Sequence, residues 1–304
     1  MKKNVLVTGG TGFVGRELTK ALIDVGYTVS ILSRAKIKNT ASVFYYTWDV
    51  EKQTIDKDAV LNADYIIHLA GANIAEKPWT KKRKEQIVNS REQSTQLIYS
   101  VLKKSNKKLD AFISASAVGI YGAVNGEEIC TETTAMGDDF LGLTCQKWEA
   151  AADQFEKLGI RTVKIRTGLV LGENDGVLNK LSPVFKFRLG SALGSGKQYM
   201  PWIHVDDLCA IYLEAISNTQ MNGAYNAAIN DNTTNTVFSN TLAKVYGYKI
   251  CLPNVPSFLI NMIFGEMSKI VLTGRRISSD KLEKTGFHFK HSNLEDTLRF
   301  CLSK

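Results

Sequence analysis

No stretch of this sequence stays apolar for the roughly 18 residues that a membrane-spanning helix needs, so no such span is expected. Cysteine is sparse and unpatterned. Cys130, Cys145, Cys209, Cys251 and Cys301 are odd in number and include no CxxC pair. That argues against a disulfide framework and for reduced thiols in a cytoplasmic protein. The four histidines are dispersed along the chain, so spacing supports no metal site. The opening MKKNVLVTGGTGF breaks its apolar run at Thr8-Gly9-Gly10, and it reads as a first strand entering a turn rather than a secretion signal.

What is present is an ordinary globular composition, with 44% hydrophobic and 22% charged residues in a chain of 304. That length has room for one large domain and a smaller one. The net charge is +8, with basic residues clustered at Lys81-Lys82-Arg83-Lys84 and at Lys103, Lys104, Lys107 and Lys108. Such runs can bind nucleic acid, but no aromatic residues interleave them and no DNA-binding motif accompanies them. A solvated helix face is the expectation, with neither a nucleic acid nor a membrane as partner. A mildly basic surface would also attract an anionic dinucleotide or substrate.

Through the first half, short apolar runs alternate with helical patterns, as in βαβ units around a parallel sheet. Strands are predicted at Val5–Val7, Thr28–Leu32, Val43–Tyr46, Tyr65–Leu69, Ala111–Ser114 and Thr162–Arg166. Helices are predicted at Phe13–Val25, from about Lys81 to Leu102, and at Phe140–Leu158. After Gly168 the rhythm changes. Leu169–Met200 is glycine-rich, Val205–Ile216 reads as a helix, and Ala224–Asn226 reads as a short strand returning to the sheet. From about Asn235 the chain is mostly helical. The expected division is residues 1–168 with 201–230 as one domain, and 169–200 with 231–304 as a smaller one.

The sequence Thr8-Gly9-Gly10-Thr11-Gly12-Phe13-Val14-Gly15 places glycines at 9, 12 and 15 directly after a strand and at the opening of a helix. The first allows a tight turn, the second lets backbone approach a pyrophosphate, and the third lets the helix pack on the sheet. The diphosphate then meets free N–H groups at the helix start. This is a dinucleotide fingerprint, and the fold class it predicts is α/β, a doubly wound parallel-sheet Rossmann fold with a smaller, mainly helical C-terminal domain. At the end of the second strand, Ser33-Arg34 stands where NAD-binding chains carry an acid. Arg34 suits the 2′-phosphate of NADP(H). Asp49 follows the third strand and could meet the adenine amino group. Leu69-Ala70-Gly71 ends the fourth at the sheet's carboxyl edge. Gln86 and Arg91, five residues apart, could both face the site or serve between helices.

With these segments laid end to end, the chain resembles the short-chain dehydrogenase/reductase superfamily, in its extended, NAD(P)-dependent epimerase/dehydratase branch. It is most similar to the "epimerase family protein" group (subfamily 39U). The resemblance rests on TGGTGFVG (8–15), LAGANIAEKPWT (69–80), NSR (89–91), SASAVGIYG (114–122), DFLGLTCQKWEAAA (139–152), RTGLVLG (166–172) and GSGKQYMPWIHVDDL (194–208). It extends to GRRISSDKLEKTGFHFKHSNLEDTL (274–298), which looks like the group's C-terminal domain of unknown function. It implies an NADP(H) site drawing on Ser33, Arg34, Leu69, Ala70, Gln86, Arg91 and Val170 beside the glycine loop.

The wider superfamily pairs a Ser or Thr after the fifth strand with a Tyr-x-x-x-Lys that moves a proton as hydride transfers. Ser116 fits the serine slot, but Leu141 and Cys145 fall in the other two. Tyr99…Lys103 has the spacing but precedes the Ser116 strand, and it is expected to be a helix-surface pair. If the chain is catalytic, Ser116 would polarise a carbonyl or hydroxyl and Tyr121 would move the proton, unless its ring only packs over the pocket. Trp202 and His204 lie in a segment that contacts substrate in extended members, although a buried core tryptophan is the commoner outcome and a structural histidine near the domain junction is also open. Arg275-Arg276 could clamp an anion or be solvated. The expected function is that of an NADP-dependent oxidoreductase or nucleotide-sugar-type epimerase acting on an unidentified small molecule. The rival is a non-catalytic NADP(H)-binding sensor. A homodimer is one option for its assembly.

Overall fold

The structure, a computed structural model, describes residues 2–105, 107–173 and 175–303. The chain opens with β1 (Asn4–Thr8), α1 (Phe13–Asp24), β2 (Thr28–Ser33), β3 (Val43–Asp49), β4 (Thr54–Ile55) and α2 (Lys57–Leu61). It continues through β5 (Tyr65–His68), α3 (Lys81–Ser105), β6 (Ala111–Ala117), β7 (Asn125–Cys130), α4 (Phe140–Asp153) and β8 (Arg161–Thr167). Then come β9 (Leu169–Leu171), α5 (Gly176–Lys186), β10 (Trp202–His204), α6 (Val205–Ser217) and β11 (Gly223–Ala227). The last stretch holds α7 (Asn235–Val245), α8 (Ser257–Phe264), α9 (Lys269–Leu272), β12 (Gly274–Ile277), α10 (Asp280–Glu283) and α11 (Leu294–Leu302).

The central sheet runs β11-β8-β6-β5-β1-β2-β3-β4, and every pairing is parallel except that of β3 with β4. The chain therefore starts mid-sheet, works outward through β2 and β3, and crosses back to build β5, β6 and β8. This reversal lies between β1 and β5, and such a switch point leaves a crevice at the carboxyl ends of the strands. Successive side chains of β1 enter opposite cores. Val5 and Val7 pack with Leu18 and Leu22 of α1 and with Ile211 and Tyr212 of α6. Leu6 packs with Ile98 and Val101 of α3 and with Phe155. Cover on both faces explains why the central strands read as nearly unbroken apolar runs. A third apolar cluster, around Trp202, Phe238, Leu242 and Leu298, sits apart from these two.

The predicted strands are present, with two differences that matter. β3 runs on to Asp49, which is the strand's last residue, and β6 runs on to Ala117, so Ser116 lies within the strand. Four elements have no local signal. β4 and α2 are very short, and β7 pairs in parallel with β12 from the far end of the chain. The 169–200 segment also contributes β9, which pairs with β10.

His68 locks the centre. It is fully buried at the end of β5, with Nδ1 2.8 Å from Thr8 Oγ1 and Nε2 3.0 Å from Ser94 Oγ. Ser94 donates its hydroxyl to the Ser90 carbonyl (2.7 Å), and Thr8 Oγ1 accepts the Ala70 N–H (3.1 Å). Proton counting then makes His68 a neutral Nε2–H imidazole that donates to Ser94 and accepts from Thr8. Burial depresses its pKa to about 3. Because the unfolded chain takes up this proton near pH 6.5, stability is full above that pH and falls as pH drops toward 3. Denaturant melts should lose up to about 1.4 kcal/mol per pH unit from this group between those limits. In His68→Asn the acid limb should be shallower; an unchanged limb would contradict this account.

Candidate cofactor-binding site and the network beneath it

The β1–α1 turn is shaped by backbone contact. Gly9 has φ +71° and accepts the Gly12 N–H (3.0 Å), and a Cβ on it would stand 3.0 Å from the Leu69 carbonyl. A Cβ on Gly15 would collide with the Gly9 carbonyl oxygen. Gly12 caps α1 with no side chain, and the first turn holds no acidic residue. The N–H groups of Phe13, Val14 and Gly15 therefore face an open, electropositive helix end, with exposed Thr11 beside it. Phe13 also packs against Gly172, beyond β9.

One strand over, Ser33 is buried, and its hydroxyl accepts the Ala35 N–H (3.2 Å). Arg34 is exposed and forms no salt bridge among the described residues. It lines an open depression of about 430 Å³ together with Lys36, Trp48 and Asp49. Asp49 accepts the Lys52 N–H (3.0 Å), which holds its carboxyl below the usual range. The fold thus brings Arg34 and Asp49 to one place. The glycine turn, left empty of side chains, and the unpaired guanidinium together fit a phosphorylated dinucleotide.

On the other side of the switch point, Leu69-Ala70-Gly71 leaves β5 at the crevice. Arg91 braces this loop: its guanidinium donates to the Ala72 carbonyl (3.1 Å), lies against Gly71 and stacks over Trp148 at 4.8 Å. Gln86 is exposed, and its carbonyl accepts from Arg83 (2.6 Å). Gln86 and Arg91 therefore serve different partners. Arg83, one of the basic run, is itself buried and donates to the Asn73 carbonyl, while Lys84 pairs with Glu266 (2.5 Å). Half of that run is engaged inside the protein. Lys103 lies over Tyr99, its ammonium 6.0 Å from the ring centroid, but the tyrosine ring is half-buried against Phe155 and so belongs only partly to the surface.

The expected roles of Ser116 and Tyr121 need correction. Both are nearly fully buried, and both belong to one network. Ser116 donates to Glu149 Oε1 (2.7 Å). Glu149 in α4 and Arg166 in β8 form a two-point ion pair at 2.8 and 2.9 Å. Arg166 Nη1 donates to the Tyr121 hydroxyl (3.0 Å), which donates to Asn226 Oδ1 in β11 (2.6 Å). Burial pushes the Tyr121 phenol up to about 12. Burial alone would lower Arg166, but its bonds to Glu149 more than offset that and raise it. These hydroxyls are committed within the protein. Leu141 and Cys145 do face the Gly119 turn that follows Ser116, and burial pushes the Cys145 thiol up to about 12. Glu149 and Arg166 went unread as site residues, although both lie in the motifs WEAAA and RTG.

Trp202 and His204 take the structural of the two readings open to them. Trp202 has no exposed surface, sits in the third apolar cluster and donates Nε1–H to Asp231 (2.9 Å). His204 is buried at the N-cap of α6, with its ring against His291. Val170 in β9 packs at the edge of the core that contains α1. Arg275 pairs with Glu128 (3.3 Å) and Arg276 stacks over Tyr199, so both brace the β7–β12 ribbon.

Removing one member of the buried ion pair strands the other charge, at a cost of about 3–5 kcal/mol. Arg166→Met should therefore lower the thermal midpoint sharply, and the double variant Glu149→Leu/Arg166→Met should recover much of that loss. Additive losses in the double-mutant cycle would show that the two do not act as a pair.

Residues 5–228 match the NAD dependent epimerase/dehydratase family, and residues 255–301 match a domain of unknown function, DUF1731. The chain is 36% identical over 297 residues to epimerase family protein YfhF of Bacillus subtilis, covering 97% of this chain and 96% of that one. It is 34% identical to epimerase family protein SAR0825 of Staphylococcus aureus, covering 99% and 100%. Among solved structures it resembles human epimerase family protein SDR39U1 with NADPH, at TM-score 0.86, 28% identity and 99% coverage of both chains. A nucleoside-diphosphate sugar epimerase from Corynebacterium glutamicum aligns at TM-score 0.79 and 30% identity, over 98% of this chain and 57% of that one. With the glycine turn, the switch-point crevice and these matches in agreement, the chain belongs to the NAD dependent epimerase/dehydratase family.

Proposed function

We propose that this protein binds NADP(H) along the carboxyl edge of its sheet and acts as an oxidoreductase or epimerase on a small molecule. The observation that carries the reading is the unpaired Arg34 beside a depression one strand from the glycine turn. The N–H groups of Phe13, Val14 and Gly15 would hold the diphosphate, and Arg34 would grip the 2′-phosphate. Leu69, Ala70 and Val170 would line the floor. The NADPH found with the human relative supports the same preference. A bound nicotinamide would supply the carbon that gives or takes hydride. Of this chain's own residues, Arg91 sets the loop beside it, and the Glu149–Arg166 network holds β6 and β8 in register beneath it.

The division into residues 1–168 with 201–230 as the cofactor unit, and 169–200 with 231–304 as the substrate side, belongs to this reading. It is supported by the place of β11 beside β8 and by the packing of α6 against α1. A cytoplasmic setting is supported by five free cysteines, four of them buried.

A second reading, an NADP(H)-binding sensor without turnover, is favoured by Leu141 and Cys145 at the proton-transfer slots and by the committed hydroxyls of Ser116 and Tyr121. Calorimetry separates cofactor choice from chemistry. Arg34→Ala should weaken NADPH about tenfold to a hundredfold, the 1.5–3 kcal/mol typical of hydrogen bonds to charged groups, and leave NADH nearly unchanged. Equal losses for both would overturn the assignment. NADPH consumption or stereochemical inversion across a panel of carbonyl compounds and nucleotide sugars would support the enzyme. Tight binding with no product from any of them would support the sensor.

A further inference from the structure

His204 and His291 are 87 positions apart in sequence and meet at the start of α6 with ring centroids 4.0 Å apart. Asp206, in the first turn of the same helix, points its carboxylate at both. Asp206 Oδ2 lies 3.7 Å from His204 Nδ1 and 3.5 Å from His291 Nε2, and the three ligand atoms all fall within 4.8 Å of one another. Donors bound to one metal at roughly 2.0–2.2 Å in a tetrahedron stand about 3.3–3.6 Å apart, so small rotations would close this set.

Two further observations point to a ligand. The His291 side chain is 10% exposed, and its Nε2, the atom facing Asp206, is buried and makes no hydrogen bond. An orphaned buried polar atom is costly unless something else engages the ring. The position of His291 is also built. The Asp207 carboxylate accepts the backbone N–H groups of Lys290 (2.8 Å) and His291 (2.9 Å), pinning that segment to the helix start. Phe300 walls both rings, at 5.5 and 5.1 Å.

We infer that His204, Asp206 and His291 form a binding site for a divalent transition metal, zinc foremost, which joins α6 to the C-terminal segment. Two imidazoles and a carboxylate suit zinc and its neighbours rather than magnesium or calcium. The half-exposed Asp206 leaves the remaining position open to water. Coordination by His204 Nδ1 would use the lone pair that accepts the Asp206 N–H (3.2 Å), so the metal replaces that helix-capping bond. The helix start disfavours a cation, and the carboxylates of Asp206 and Asp207 oppose that effect. The site shares no residue with the cofactor crevice.

The test uses the full chain, stripped with chelator, in a Cys251→Ser background that removes the exposed thiol. Zinc titration by calorimetry should show one saturable site and a thermal midpoint raised by several degrees. Cobalt should develop the visible bands of a low-coordinate site. Asp206→Asn changes a half-exposed side chain and should leave the fold intact, and His291→Phe keeps a ring against Phe300. Each should weaken zinc at least about tenfold. No saturable binding by the parent protein, or parental affinity in either folded variant, would overturn the site.

Discussion

The close approach of bare backbone at the β1–α1 turn governs this molecule. Gly9 touches the Leu69 carbonyl on one side and leaves no room for a Cβ on Gly15 on the other. α1 can begin so near the sheet only because both positions lack side chains. That nearness makes the helix end a place where an anion can sit on free N–H groups. The same contact brings β1 and β5 together at the reversal of strand order, where His68, Thr8 and Ser94 close a buried hydrogen-bond chain. Anion site and sheet centre are thus two consequences of one packing constraint.

Beneath the crevice lies a second, electrostatic constraint. Glu149 and Arg166 bond at two points, and their remaining capacity is met by Ser116 and, through Tyr121, by Asn226. A buried charge pair is tolerable only when its spare donors and acceptors are satisfied. The hydroxyls of Ser116 and Tyr121 meet that requirement. This gives Ser116, the residue in the serine slot, a buried partner here beside Leu141 and Cys145.

The C-terminal third is tied to the sheet edge and to α6 by polar contacts. Asn226 donates to the Ser278 carbonyl (2.9 Å), Ser279 donates to the Ala228 carbonyl (2.6 Å), and Asp207 accepts the N–H groups of Lys290 and His291. β12 adds its pairing with β7. Such contacts fix where the tail lies while leaving the crevice between β1 and β5 unobstructed by them.

Much of the fold was legible because its information is local. Apolar runs, helical periods and the 9–12–15 glycine spacing each sit within a few residues, and they specified the parallel sheet, its first helix and the cofactor class. What was not legible depends on residues distant in sequence. No local pattern reveals that Asn125–Cys130 pairs with Gly274–Ile277, or that Glu149 meets Arg166. Nor does spacing show that two dispersed histidines converge on Asp206. The sequence by itself determined the dinucleotide fingerprint and the family, because strand, turn and helix are contiguous there. Only the tertiary structure decided that Ser116, Tyr121 and Trp202 are buried partners, because burial and hydrogen bonding are set by what the folded chain brings alongside.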